Sequence, residues 1–246
     1  MNPTPFLNSS LGKKYLTAVT GLLLAGFLIS HLTGNLLIYV GPEALNEYAH
    51  KLKTMPIYAL VWGARTALLT FFLVHLISGV RLTLQNKGAR PVRYKGQKTK
   101  IASISSRTMI WSGIVIALFV AYHLAHFTLH WTSADIANLS PYYDPSALKA
   151  AGGDITLVPA KYIMFDVYTM VVMSFQNIFI SLLYIASMFA LWFHLCHGTS
   201  SVFQTLGANF PKIRFLTNLI GPAFATVLLV GNCSIPIAVL SGIVGG

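Results

Sequence analysis

The chain has 246 residues, of which 55% are hydrophobic and only 9% charged, with a mean hydropathy of +0.66. That balance excludes an ordinary soluble domain and points to an all-α polytopic membrane protein forming a single domain over residues 1–246. The formal charge of +11 is confined to a few connections, which argues against nucleic acid as a partner and for a membrane lipid environment.

In chain order, the polar start MNPTPFLNSSLGKKY leads into an apolar run too long for a signal-peptide core, with no small-residue cleavage site after it, so the first span reads as retained. Five transmembrane helices are expected, over about 15–40, 57–84, 108–130, 162–198 and 215–240, each long enough to cross ~30 Å of hydrocarbon. Lys13 and Lys14 precede the first span. Arg81, Lys87, Arg90, Arg93, Lys95, Lys98, Lys100 and Arg107 crowd the connection between spans two and three, and Lys212 and Arg214 precede span five. The six acids, Glu43, Glu47, Asp135, Asp144, Asp154 and Asp166, lie in the other two connections or at their borders. This asymmetry places the N-terminus in the cytoplasm and the C-terminus outside. The fourth span exceeds what hydrocarbon requires, so its end near Tyr162 is expected to stand above the membrane. Cys196 and Cys233 fall at opposite membrane sides, so no structural disulfide is expected.

Each of the first four spans carries a histidine inside its apolar run: His31, His75, His123 and His194. An ionisable group within hydrocarbon is a functional candidate because something must satisfy it. At ~1.5 Å per residue, His31 lies ~14 Å and His123 ~12 Å below the outer edge, while His75 and His194 lie ~9 Å and ~6 Å from the inner edge. The pairs His31/His123 and His75/His194 therefore share two levels, an arrangement suited to two b haems, each with two axial imidazoles, in a bundle made by the first four helices. His126 and His197, three residues after His123 and His194, occupy nearly the same faces and are alternative ligands. Ser78, Gly79, Gly34, Ala190 and Gly198 place small side chains on the ligand faces, where a flat macrocycle could approach.

A lone cation in a span is costly unless paired. Arg65, in the outer half of span two, suits an outer haem propionate, and Arg107 with Arg81 at the inner edge suit inner ones. The bland alternatives are a hydrogen bond between helices for any one histidine, and snorkelling or anchoring for the arginines.

The motifs SHLTGN around His31, HLISGVRL around His75, SRTMIWSG with YHLAHF around His123, and FQN with FHLCHGTSSVFQTLG around His194 resemble the dihaem cytochrome b anchor of succinate:quinone oxidoreductases, in particular the single-chain five-helix type of bacterial succinate dehydrogenase and fumarate reductase. The likeness covers helices one to four. It implies haem-iron ligation by the four histidines in the same two pairs, an iron-sulfur subunit and a flavoprotein docked on the cytoplasmic face of a bacterial membrane, and electron transfer to a quinone, in dihaem members menaquinone. The chain carries none of the cysteine sets for iron-sulfur clusters and no dinucleotide-binding glycine loop. A quinone site needs an acid or base near a haem edge; the candidates are Asp166, His126 and Glu43, with Glu47 beside it. Two other readings are a dihaem cytochrome b serving a hydrogenase, formate dehydrogenase or heterodisulfide-type reductase, and a transporter using histidines as a proton relay. The first would lack a covalently flavinylated partner; the second would carry no haem, and the shortage of acids near the midplane counts against it.

Overall fold

The computed structural model describes residues 6, 8–54, 57–89, 104–208 and 210–246. Among them, five helices are long and apolar enough to cross a membrane: Ser10–Tyr39, Tyr58–Gly88, Met109–Phe127, Ile178–Thr205 and Asn218–Leu240. In hydrocarbon a backbone must satisfy its own polar groups, so apolar runs of this length fold as helices. Leu60, Leu118, Phe179 and Val227 each keep well over half their surface exposed, as lipid-facing side chains do. The chain is an all-α multi-pass membrane protein.

Helix α1 covers Ser10–Asn35 and tightens into a 3-10 turn over Leu36–Tyr39. Gly41, at φ 126°, turns the chain, and Pro42 opens α2, Pro42–Lys51, where a missing N–H costs nothing. Helix α3 runs Ile57–Gly88. After the single turn Ile104–Arg107 comes α4, Met109–Phe127, bracketed by the exposed Trp111 and Trp131, positions that tryptophan favours at membrane interfaces. Arg90, Arg93, Lys95, Lys98 and Lys100 lie outside the described residues, so the densest part of the basic connection has no structural account.

The long connection after α4 holds a two-residue ladder, β1 Tyr142–Tyr143 antiparallel to β2 Ile163–Met164. Between the strands, the Asp144 carboxylate caps the helical turn Pro145–Ala150 by accepting from the Ser146 and Ala147 N–H groups. Glycines at positions 152 and 153, with φ of 67° and 87°, end it. The fourth span departs from expectation. Instead of one helix over 162–198, α5 runs Val167–Gln176 and α6 Ile178–Thr205. Asn177 makes the break: its backbone is extended, and its Oδ1 accepts from Phe179 N at 3.0 Å and Ile180 N at 3.3 Å. An asparagine that caps a new helix competes with the carbonyls that would continue the old one. Helix α7 is Pro211–Leu240.

Contacts divide the chain into two compact units, Met1–Ile29 with Arg65–Phe119 and Ala186–Val230, and Ser30–Ala64 with Val120–Ile185 and Gly231–Gly246. In the first, Trp192 Nε1 donates to Thr226 Oγ1 at 3.0 Å, tying α6 to α7. In the second, α7 lies so close to α1 that a Cβ on Gly231 would sit 2.8 Å from Leu32. Helix α2 is clamped to α5 by Asn46, fully buried, which donates to Asp166 Oδ1 and accepts from Tyr168 N, each at 3.0 Å.

Candidate functional site

Each unit brings one pair of imidazoles together. In the first, His75 of α3 and His194 of α6 have ring centres 6.2 Å apart with planes at 64°. His75 Nδ1 lies 3.0 Å from the Thr17 carbonyl and 3.3 Å from Thr20 Oγ1. The Thr20 hydroxyl gives its own proton to Leu16 O at 2.6 Å, so both neighbours can only accept. Nδ1 must then carry the proton, which leaves the Nε2 lone pair available. His194 repeats the pattern. Its Nδ1 lies 3.2 Å from Ser112 Oγ, whose proton goes to Met109 O at 3.1 Å. Among the described residues Nε2 of neither imidazole forms a hydrogen bond, and both rings are half-buried.

In the second unit His31 of α1 and His123 of α4 have ring centres 5.8 Å apart and perpendicular planes. Tyr184 of α6 places its hydroxyl 2.9 Å from His126 Nδ1 and 3.4 Å from His123 Nδ1. His126 is fully buried in an aromatic cluster with Tyr122, Phe127 and Tyr184. Its Nε2 is the one buried side-chain polar atom, among the described residues, without a partner. His197 instead bonds within its own helix, Nε2 to Ser201 Oγ at 3.0 Å.

Two imidazoles gripping one metal ion from opposite sides, with bonds of ~2 Å and a further ~1 Å from nitrogen to ring centre, stand about 6 Å apart, with any twist about their common axis. Both observed separations meet this. Among the described residues no third His, Cys, Asp or Glu joins either pair. Among the described residues each site thus brings two imidazoles together, without the four-ligand cage that structural zinc takes. Such a site suits a metal whose remaining positions a cofactor fills.

Two glycines lie close against the imidazoles, and Gly79, on the face of His75, has open space around it. A Cβ on Gly21 of α1 would stand 3.0 Å from His75 Cε1, and one on Gly113 of α4 would stand 3.6 Å from His194 Cε1. The small residues thus lie on the helix facing each ligand. Gly34 does not open the face of His31 to a macrocycle; a Cβ there would meet the Tyr48 ring at 2.7 Å. Gly198 faces the Met109 methyl.

Arg65, Arg81 and Arg107 are exposed, the first two on α3 and the third before α4. Asp166 caps α5, accepting from Thr169 N at 2.9 Å and Thr169 Oγ1 at 2.8 Å besides the Asn46 amide. Glu43 is exposed in the first turn of α2, and Glu47 pairs with Lys51 at 2.8 Å. Burial, then the charges of Glu43, Asp144 and Asp166, push the Tyr142 phenol up. Glu43, Asp144 and Asp166 therefore all lie near Tyr142. Thr17, Thr20, Gly21 and Tyr184 lie outside the motifs, whereas Ser112 and Gly113 close the motif SRTMIWSG, in which neither was assigned a role of its own.

Fold and geometry together define the class: an all-α multi-pass membrane protein that holds histidines in facing pairs. The chain matches no known family model, curated protein or solved structure.

Proposed function

We propose that this chain is a dihaem cytochrome b membrane anchor of the succinate:quinone oxidoreductase type. In this reading His31 with His123 holds one b haem and His75 with His194 the other, and the chain passes electrons between a cytoplasmic iron-sulfur subunit and a membrane quinone, menaquinone in the family it resembles. The observation that carries the reading is the pairing of imidazoles near 6 Å in both units, joined at His75 and His194 by an anchored Nδ1 that leaves Nε2 to a metal. A haem held in this way supplies one-electron transfer through its iron. The protein's own part would be to hold each haem between the two imidazoles of a pair, in a lipid-surrounded bundle whose apolar side chains wall off water.

Arg65 and Arg107 are assigned to propionates. For quinone protonation, Asp166 is already committed as a cap and His126 is sealed among aromatics, whereas Glu43 is exposed. The positive connection between spans two and three serves as the docking face for the iron-sulfur subunit, which in turn carries a flavoprotein. The setting is a bacterial cytoplasmic membrane, N-terminus inside and C-terminus outside.

The test is the reduced-minus-oxidised spectrum of the purified chain with each histidine replaced singly by alanine. Replacing His31 or His123 is expected to abolish one b-type signal, and replacing His75 or His194 the other. A haem-free wild-type protein would overturn the reading in favour of a proton relay. Co-purification with a hydrogenase or formate dehydrogenase subunit, in place of a covalently flavinylated one, would overturn the choice of partner.

A further inference from the structure

The residues that hold His75 and His194 are built twice on one plan. The segments TGLLLAGFLISHL, from Thr20, and SGIVIALFVAYHL, from Ser112, agree at Gly21/Gly113, Ala25/Ala117, Phe27/Phe119, His31/His123 and Leu32/Leu124. HLISG from His75 and HLCHG from His194 likewise share their histidine, leucine and glycine. In each half a helix bearing hydroxyl-glycine and, ten residues after the glycine, a histidine is followed in sequence by a helix bearing the second histidine. The contacts obey the same plan. Thr20 and Gly21 of α1 meet His75 of α3, while Ser112 and Gly113 of α4 meet His194 of α6. Both hydroxyls are buried, at 6% and 7% exposure, and both spend their proton on a carbonyl of their own helix.

We infer that Thr20 and Ser112 are a matched pair of positioning residues. Each accepts the Nδ1–H of a histidine on the neighbouring helix, fixing its tautomer and ring rotation so that Nε2 is presented to the metal. The assignment rests on the haem-binding reading above. A hydroxyl suits the task because its oxygen, once its proton is committed to the backbone, is an acceptor carrying no charge, whereas a carboxylate here would be a buried anion. The helix carbonyls assist: Thr17 O takes the same Nδ1–H from His75 at 3.0 Å, and the Met109 backbone bonds His194.

The test uses the full chain in detergent, with Thr20→Val and Ser112→Ala beside the conservative Thr20→Ser and Ser112→Thr. Loss of an outer-shell partner weakens metal retention by about 10- to 100-fold. Because a backbone acceptor survives in each variant, the expectation is the low end, about 10-fold faster loss of one haem to apomyoglobin. Paramagnetic resonance should show a shifted signal for the His75/His194 centre and an unshifted one for His31/His123. The serine and threonine exchanges should restore both. Nitrogen-15 spectra of the histidines in haem-free protein give a second readout: His75 and His194 should be protonated at Nδ1, and each non-hydroxyl variant should shift its own histidine toward the other tautomer. Haem retention and tautomers unchanged in both Thr20→Val and Ser112→Ala would overturn the inference while leaving the haem reading intact. A wild-type chain that binds no haem through paired imidazoles would overturn both.

Discussion

Substituting alanine at the two glycines that face His75 and His194 should give opposite results, although the chemical change is identical. A methyl on Gly21 would lie 3.0 Å from His75 Cε1 and 3.3 Å from Nδ1, whereas one on Gly113 would lie 3.6 Å from His194 Cε1 and 3.9 Å from Nδ1. Carbon atoms rest at about 3.5–4.0 Å, so Gly21→Ala forces the ring back by about 0.5 Å while Gly113→Ala makes an ordinary contact. The ring cannot retreat freely, because its Nδ1 is held by the Thr17 carbonyl at 3.0 Å, and a shift of that size takes the bond to the limit of useful geometry. Overpacking of this kind costs about 1–3 kcal/mol, against a gain of about 1 kcal/mol that either substitution draws from helix propensity. Gly113→Ala keeps that gain. The two variants should thus differ by about 1–3 kcal/mol, which for a chain of this size is roughly 3–10 °C in melting temperature. Helical circular dichroism during heating in one detergent reads the difference, and comparing two variants cancels the detergent's own contribution. Equal melting, or Gly113→Ala melting lower, would refute the account of how these imidazoles are seated.

Two further outcomes concern the connections. Asn46→Ala removes the bond to the Asp166 carboxylate and leaves the Tyr168 N–H without its acceptor; at about 1–3 kcal/mol for each of the two half-buried groups affected, the total should be about 2–6 kcal/mol, seen as faster amide exchange along Val167–Gln176, and wild-type protection there would contradict the clamp. At Asp144 the Ser146 hydroxyl, then the Ala147 and Ser146 backbone N–H groups, hold the carboxyl below its ordinary value. A depressed carboxyl stabilises the fold fully above about pH 4 and loses that contribution as pH falls through its folded value. Protection of the Ala147 amide should accordingly hold above about pH 4 and fall as pH drops below it, and Asp144→Asn should abolish the pH dependence; an unchanged trend in the variant would place the titrating group elsewhere.

The spans were legible because hydrocarbon leaves a long apolar run no alternative to a helix. Asn177 was hidden by the same rule. Within FQNIF it reads as one polar residue tolerated in a helix, and only the capture of the Phe179 and Ile180 N–H groups by its side chain reveals a cap. Histidine pairing was legible from depth alone: a constant rise per residue levels His31 with His123 and His75 with His194, and these are the rings that lie together. Periodicity on one helix says nothing about which residues of another helix face it. That is why reasoning from small residues on each ligand's own face led to Gly34, whose space Tyr48 fills, and passed over Gly21 and Gly113. The signal was present in the spacing from hydroxyl-glycine to histidine, repeated from Thr20 to His31 and from Ser112 to His123.

The distribution of acids explains why the support for His75 and His194 takes this form. All six, Glu43, Glu47, Asp135, Asp144, Asp154 and Asp166, fall within the segments of the second unit, and the first unit contains no carboxylate side chain. The usual carboxylate partner of a metal-bound histidine is therefore missing where His75 and His194 lie, and in a low-dielectric setting it would be an expensive one. Carbonyls and proton-spent hydroxyls supply the same acceptor at no net charge. In the haem-binding reading proposed above, a neutral acceptor on each imidazole would leave the electron as the one charge that changes at such a centre. The same economy makes orientation the vulnerable quantity: with no Coulomb attraction to recapture a rotated ring, a lost hydroxyl or an added methyl acts directly on where Nε2 points.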